Sequence, residues 1–299
     1  MADRSERSLG LIFGLSAYIL WGLFPLYWPL LKPASAYEIV AHRAVWTLVF
    51  CLIVLAFHRK LRHTISQIKK PRIFFGLLAT SALISINWIV YIWATNSEHV
   101  VEASLGYYIN PLVIIAFGVL LLKEKMRIGQ WVAVGIATVG VAVLTIDYGR
   151  LPWIALALAL SWGSYGVIKK VLGLGALEGL TIETMLSFIP YVTFLLILQS
   201  NGTGQFGHSV GLTLLLVSAG AITAIPLLLF NGSTTRLPYT VIGLLQYITP
   251  TIQFSIGVWI RHEDMPTARW VGFAIIWCAL IALAIDLLRS GRTIDNSVA

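Results

Sequence analysis

The chain has 299 residues, of which 58% are hydrophobic and only 11% are charged, and its mean hydropathy is +0.84. Soluble domains have about 25% charged residues, so this composition excludes a soluble globular protein and indicates an integral membrane protein. The formal net charge of +8 does not indicate a nucleic-acid-binding protein, because the basic residues lie between apolar runs. That arrangement is typical of membrane proteins, whose orientation such residues set.

Ten apolar runs are long enough to cross the hydrocarbon core of a bilayer, which takes roughly 20 helical residues. They cover residues 9–31, 36–57, 73–95, 100–122, 128–147, 151–171, 179–200, 209–231, 239–260 and 267–288. The sequence therefore predicts an all-α integral membrane protein with ten transmembrane helices. The basic segment 58–72 is either a short amphipathic surface helix or only an orientation signal.

Two parts of the chain repeat each other at a shift of 139 residues. Residues 105–111 align with residues 244–250, proline on proline, and the alignment continues without a gap until Asp147 meets Asp286. A fixed shift held over about forty residues indicates an internal repeat.

Ten spans in two copies give five spans per copy, and five is an odd number. The second copy must therefore enter the membrane the opposite way up. We predict a first repeat at residues 1–147 and a second, inverted repeat at residues 148–299. Inverted repeats with a binding site near the bilayer midplane are a feature of secondary transporters.

The distribution of lysine and arginine predicts the orientation. With the N-terminus in the cytoplasm, sixteen of the 21 basic residues fall in cytoplasmic segments and one, Arg43, lies inside the second span. The four on the opposite side are Lys32, Arg150, Arg261 and Arg269. This bias predicts that both termini are cytoplasmic.

Two prolines occupy matching positions in the repeats and are predicted hinges. A proline inside a helix leaves the carbonyl four residues back without its usual donor, which for Pro111 and Pro250 is the carbonyl of Tyr107 and of Gln246. In hydrocarbon, such a group needs a partner or a wet cavity. Paired kinks beside a central cavity are expected, and kinks used only for packing are the alternative.

Polar and aromatic side chains at helical spacing suggest what the cavity would bind. Spans three and nine each carry polar residues on a single face, at intervals of three or four residues. The predicted substrate-binding residues are Trp21, Asn87, Tyr91, Tyr107, Asn110, Trp162, Tyr165, Gln246, Thr249 and Gln253. For any one of the polar residues, hydrogen bonding between helices is an equally good interpretation.

Charged residues inside spans are functional candidates, because burying them in a bilayer is costly. Glu38, His42 and Arg43 lie together in span two, and Glu183 lies in span seven. A carboxylate beside a histidine could exchange protons and couple transport to them. The alternative is that these charges only lock helices together.

The sequence predicts no enzyme, no catalytic residues, no metal and no cofactor, because it contains none of the common hydrolase or metalloprotease motifs. A membrane enzyme acting on lipid remains a distant alternative that would need a third ligand beside Glu38 and His42. The small residues Gly129, Ala133 and Ala137 permit close helix approach, which is weak evidence for a dimer. The oligomeric state is left open.

Several motifs resemble the RarD group of the EamA transporters, within the drug/metabolite transporter superfamily. They are residues 38–43, 87–88, 92–96, 102–112, 182–185, 235–237 and 246–251. The similarity covers about residues 8–288. It implies two inverted repeats, an inner-membrane location and export of a small organic molecule. It also implies a central cavity lined mainly by helices 1, 3, 4, 6, 8 and 9. Members are commonly labelled chloramphenicol-sensitivity permeases, and a broad multidrug efflux pump is the nearest alternative.

Overall fold

The computed structural model describes residues 2–122, 128–237, 241–242 and 245–295, and within these residues the regular elements are all helical. Twelve of them are α-helices. They are α1 (Ala2–Gly22), α2 (Phe24–Tyr27), α3 (Ala36–Phe57), α4 (Leu61–Gln67), α5 (Pro71–Asn96), α6 (Val100–Leu122), α7 (Ile128–Tyr148), α8 (Trp153–Leu172), α9 (Ala176–Ser200), α10 (Val210–Thr234), α11 (Ile248–Ser255) and α12 (Thr267–Asp295). The all-α prediction is confirmed.

Seven stretches among the described residues are long and apolar enough to cross a membrane. They are Glu6–Leu31, Ala36–Phe57, Pro71–Asn96, Ile128–Tyr148, Ala176–Ser200, Val210–Thr234 and Thr267–Asp286. Each coincides with one of the ten predicted spans. The other three, at 100–122, 151–171 and 239–260, also fall on helical segments but stay predictions as membrane spans.

The first predicted span is a broken helix. Helix α1 ends at Gly22, α2 begins one residue later, and a 3₁₀ segment follows at Trp28–Leu31. Pro25 and Pro29 each lie in the first turn of one of the two short elements, where the missing N–H costs nothing. The break turns the aromatic residues of this segment towards the bundle interior.

The ninth predicted span is also discontinuous. A turn at Gln246 and Tyr247 precedes α11, and a π-helix at Ile256–Ile260 follows it. Pro250 is the third residue of α11 and so lies where helical N–H groups have no intrahelical partner. By contrast, Pro111 lies inside α6. The two predicted hinges therefore sit in different backbone settings, and their role as hinges stays a prediction.

The basic segment between the second and third predicted spans contains a short helix, α4. The structure therefore agrees with a short helix in this segment. A role of its basic residues in setting the orientation stays a prediction. Helix α4 contacts α3 and α9, so it is part of the packed structure.

Helix pairs recur in a symmetric pattern. Six contacts form three matched pairs. The contact of α3 with α10 matches that of α5 with α9, and the contact of α5 with α8 matches that of α1 with α10. The contact of α6 with α8 matches that of α1 with α11. Three further pairs, α3 with α9, α6 with α11 and α7 with α12, join helices that the predicted repeat makes equivalent. Exchanging the predicted halves maps each of these contacts either onto itself or onto another contact of the same set.

Small residues allow α7 and α12 to pack closely. Ala133 and Ala137 are buried, and a Cβ on Gly129 would meet Asp286 of α12. The small-residue stripe on α7 is thus used to pack α12. The suggestion that it forms a dimer face is wrong, because the face is covered by the chain itself.

An ionic clamp joins the beginnings of α6 and α8. Arg150 donates two hydrogen bonds to the Glu102 carboxylate, at 2.8 and 3.2 Å, and the Ile154 N–H donates to the same carboxylate at 3.1 Å. The hydrogen bond to Glu102 raises the pKa of Arg150. A two-pronged contact of this kind is stronger and more directional than a single ion pair.

We predict that a double-mutant cycle on this clamp will measure coupling between Glu102 and Arg150. Glu102→Gln and Arg150→Gln should each lower the melting temperature of the detergent-purified protein. The double variant should lose less than the sum of the two, because either change removes the same contact. Half of the clamp is exposed, so we expect a coupling of about 1 kcal/mol rather than a buried-pair value. The exposed Asp264→Ala serves as the control, and additive losses would contradict the clamp.

Candidate functional site

Arg43 is buried within the helix bundle. Arg43 is the eighth residue of α3, about 10 Å along a helix that rises 1.5 Å per residue, and is only 4% exposed. Its Nε donates to the Thr223 Oγ1 at 2.8 Å. No carboxylate among the residues that the structure describes comes within ion-pair distance of it.

Aromatic rings replace a counter-ion around this side chain. The Arg43 Cζ lies 3.9 Å from the ring centroid of Trp88, 4.8 Å from that of Trp28 and 5.8 Å from that of Phe24. Each such contact stabilises a cation by about 0.5–2 kcal/mol. An arginine near the centre of a bilayer costs about 3 kcal/mol on insertion scales, so rings and Thr223 together offset a cost of this size.

Tyrosines pack in the same buried cluster as Phe24, Trp28 and Trp88. Tyr91 is a member of that cluster, and Tyr27, Tyr107 and Tyr191 pack against it. The rings of Tyr91 and Tyr107 meet edge to face, with centroids 5.6 Å apart. The Tyr91 hydroxyl is buried without a hydrogen-bond partner, and such a group costs about 1–3 kcal/mol. The site thus holds a cation and a hydroxyl whose hydrogen-bonding capacity the described residues leave unused.

The predicted polar stripe on span three contacts the neighbouring helix. The Asn87 side chain donates to the Leu158 carbonyl at 3.1 Å and to the Ser161 Oγ at 3.0 Å. Asn87 therefore holds α5 to α8, the alternative use for a polar residue in a span. Tyr91, one turn further along, belongs to the group around Arg43.

The predicted stripe on span nine contacts the first helix. Thr249 donates to the Tyr18 carbonyl at 2.8 Å, and the Gln253 Nε2 donates to the Trp21 carbonyl at 3.1 Å. The Gln253 Oε1 is buried without a partner. Gln246 lies in the turn before α11 and is half-buried.

Asn110 resembles Gln253 in that its Oδ1 is buried without a partner. The two stripes are buried in the protein and do not face lipid. They bind different neighbouring helices, however, and their joining in one cavity stays a prediction.

The carboxylate of Glu183 accepts three hydrogen bonds. They come from the hydroxyl of Thr80 at 2.7 Å, the hydroxyl of Tyr165 at 3.2 Å and the ammonium of Lys169 at 3.1 Å. The donors belong to α5 and α8, so the carboxylate ties α9 to both. Trp162 stacks on Tyr165 with centroids 5.4 Å apart. The network has the form of a helix lock.

Glu38 and His42 do not contact each other as their spacing suggests. The Glu38 Oε1 accepts a hydrogen bond from the Gln205 N–H at 2.6 Å, and the His42 ring stacks on Phe206 at 4.8 Å. The His42 Nε2 is buried without a partner. A cavity of about 150 Å³ borders both side chains and the loop between α9 and α10. The two residues thus hold that loop, and proton exchange there stays a prediction.

Several residues of the site escaped the sequence analysis. Thr223, Tyr27 and Tyr191 carry no local signal, because a single hydroxyl in a span is common. Lys169 lies near the end of its span, where a lysine commonly extends to the membrane surface, and the structure pairs it with Glu183. The sequence signal that could have revealed the broken first span is the pair Pro25 and Pro29, since two prolines four residues apart in a span indicate a broken helix.

Comparisons with known proteins identify the family. Residues 8–146 match the EamA-like transporter family. The chain is 50% identical to Protein RarD of Streptomyces exfoliatus over 98% of this chain and 93% of that one. It is 44% identical to the uncharacterized transporter YojE of Bacillus subtilis, over 97% and 98%.

A solved structure titled "Crystal structure of protein" shares the fold. Its TM-score is 0.61 at 17% identity, and the match covers 94% of this chain and 98% of that one. At this identity the similarity concerns the fold alone. With half of its residues identical to a RarD protein over nearly the whole length of both, this multi-pass membrane protein belongs to the RarD group of the EamA-like transporters.

Proposed function

We propose that the protein is a secondary transporter that exports a small organic metabolite or drug across the inner (plasma) membrane by alternating access. In this proposal ten transmembrane helices form two inverted five-helix repeats, residues 1–147 and 148–299, with both termini in the cytoplasm. The membrane lipid and the small-molecule substrate are its partners. Protons are the candidate coupling ion.

The symmetric set of helix contacts is the observation that carries this proposal. Each of the contacts between the halves named above has a counterpart in that set, or is its own counterpart, when the halves are exchanged. In an inverted repeat, two arrangements related by that exchange have similar packing energies. Such a bundle can open to one side of the membrane and then to the other around a fixed central site.

Buried polar atoms support a substrate site near the middle of the bundle. The Tyr91 hydroxyl, the Asn110 Oδ1 and the Gln253 Oε1 are buried without partners. In hydrocarbon each such atom is costly, and a substrate with hydrogen-bonding groups would satisfy them. Trp21, Tyr107, Trp162 and Tyr165 are the aromatic members of the proposed site.

A multidrug efflux pump is the second candidate, and it would share the fold and the site. Export assays with chemically unrelated compounds separate the two, since a dedicated exporter is selective. An enzyme acting on lipid would need clustered ligands or a nucleophile. Among the residues that the structure describes, no three His, Cys, Asp or Glu side chains form such a group.

We predict the topology from the basic-residue bias. A reporter fused after Arg150 should read periplasmic, and one fused after Lys170 should read cytoplasmic. The two fusion points bracket α8, so the pair tests whether the second repeat starts on the opposite side. A reversed result at either point would remove the inverted-repeat proposal.

We predict that export depends on the buried amides. Asn110→Ala and Gln253→Ala should each lower export by about tenfold, the factor that about 1.4 kcal/mol represents. The measurement compares metabolites in the medium of cells with the gene, without it and with each variant. Ser255→Ala is the matched control, because its hydroxyl bonds only within its own helix, to Thr251. Unchanged export by both amide variants at normal protein level would contradict the site.

We predict that Glu38→Gln separates loop locking from proton coupling. If Glu38 only holds the loop at Gln205, the amide oxygen can replace the carboxylate, and stability should fall slightly with pH-dependent transport intact. If Glu38 carries protons, the protein level should hold and the pH dependence of transport should be lost. Normal stability together with normal pH dependence would exclude both roles.

A further inference from the structure

We propose that Arg43 and Tyr91 bind the anionic group of the transported molecule, and that the substrates are small organic monocarboxylates with an apolar body. The proposal rests on the transport function proposed above and names its substrate class. It is motivated by a buried cation under the Trp88 ring and by the buried Tyr91 hydroxyl, one turn along α5 from Trp88 in the same cluster. Among the described residues, both groups have hydrogen-bonding capacity to spare.

The absence of a counter-ion distinguishes Arg43 from three other basic side chains of the described structure. Arg150 pairs with Glu102, Lys169 pairs with Glu183, and Arg269 pairs with Asp147. Among the residues described, Arg43 has no carboxylate within 4.0 Å, although it is more buried than any of these three. A structural lock would be expected to use a carboxylate, as the other three do.

Part of the hydrogen-bonding capacity of Arg43 is not used by the described residues. Trp88 covers the guanidinium plane at 3.9 Å, and Nε is used by Thr223. The remaining donors are the Nη hydrogens, which lie in the plane of the group. A carboxylate accepts two parallel hydrogen bonds from such an edge, and its second lone pairs can accept a hydrogen bond from the Tyr91 hydroxyl.

An adjacent groove indicates the rest of the molecule. A cavity of about 220 Å³ is lined by Leu20, Leu23, Phe24, Tyr27, Ile222, Ile225 and Pro226. The Phe24 ring also lies 5.8 Å from the Arg43 Cζ, so one wall of the groove adjoins the cation. An apolar cavity of about 150 Å³ holds a benzene molecule. The lining favours a hydrocarbon body and disfavours a strongly hydrated anion such as phosphate.

Equilibrium binding to the full-length protein in detergent tests this assignment. The probe is radiolabelled 3-phenylpropionate, and the competitors are its unlabelled form, its neutral amide, acetate and inorganic phosphate. We expect saturable binding that the unlabelled acid displaces. The amide and acetate should compete at least tenfold more weakly, since the first lacks the charge and the second lacks the apolar body.

The variants separate a binding role from a folding role. Arg43→Gln should weaken binding by at least tenfold. Tyr91→Phe should weaken it by about threefold or more. Arg43→Lys should also weaken it, because an ammonium keeps the charge but lacks the planar pair of donors. Arg236→Gln is the matched control, since Arg236 pairs with Glu6 at an exposed position.

Three results would overturn the inference. They are no saturable binding by the wild-type protein, equal competition by acid and amide, and wild-type binding by both Arg43→Lys and Tyr91→Phe. If Arg43→Gln does not fold, these two milder variants decide the question. Export of another compound without binding of the acid would overturn the inference and leave the transport proposal standing. Arg43-dependent binding without any export would support the inference about the binding site and contradict the transport proposal.

Discussion

A guanidinium inside a membrane must be solvated by the protein, and the surroundings of Arg43 follow from that constraint. Helix α3 approaches α10 closely because residue 220 is glycine; a Cβ there would meet the backbone of Trp46. That approach places the Thr223 hydroxyl, one turn along α10, within 2.8 Å of the Arg43 Nε. The broken first span supplies the rings on another side. Two backbone features, a glycine and a helix break, thus make room for one buried charge.

Charged and polar contacts in this bundle divide into two kinds. Pairs such as Glu183 with Lys169 or Glu102 with Arg150 satisfy both partners and fix one helix arrangement. The groups around Arg43 are stabilised by rings and one hydroxyl, which accommodate a cation without saturating its donors. A transporter needs both kinds, because a lock gives a defined bundle, whereas an unsaturated group can gain a partner when substrate arrives.

The sequence predicted the helical fold, the membrane setting and the family, because these depend on composition, periodicity and motifs. It also singled out Tyr91 as a substrate-binding residue and Arg43 as a charged residue inside a span. It did not connect the two, since neither spacing nor composition shows that spans two and three place them in one cluster. The i, i+4 spacing of Glu38 and His42 suggested a direct pair. The loop that each side chain contacts instead could not be foreseen, because the loop's position is set by the packing of α9 and α10.

The predicted repeat accounts for the symmetric helix contacts, whereas the candidate site includes a position that has no counterpart in the repeat. A shift of 145 residues aligns Glu38 with Glu183, and both carboxylates join separate segments of the chain. The same shift aligns Arg43 with Phe188, which is partly exposed and uncharged. In the proposed mechanism, a symmetric pair of halves supports an exchange between two similar arrangements. The unmatched cation, Arg43, would give the proposed site a preference for one kind of ligand. Arg43, the residue that the substrate proposal depends on most, therefore cannot be found by looking for residues that the two repeats share.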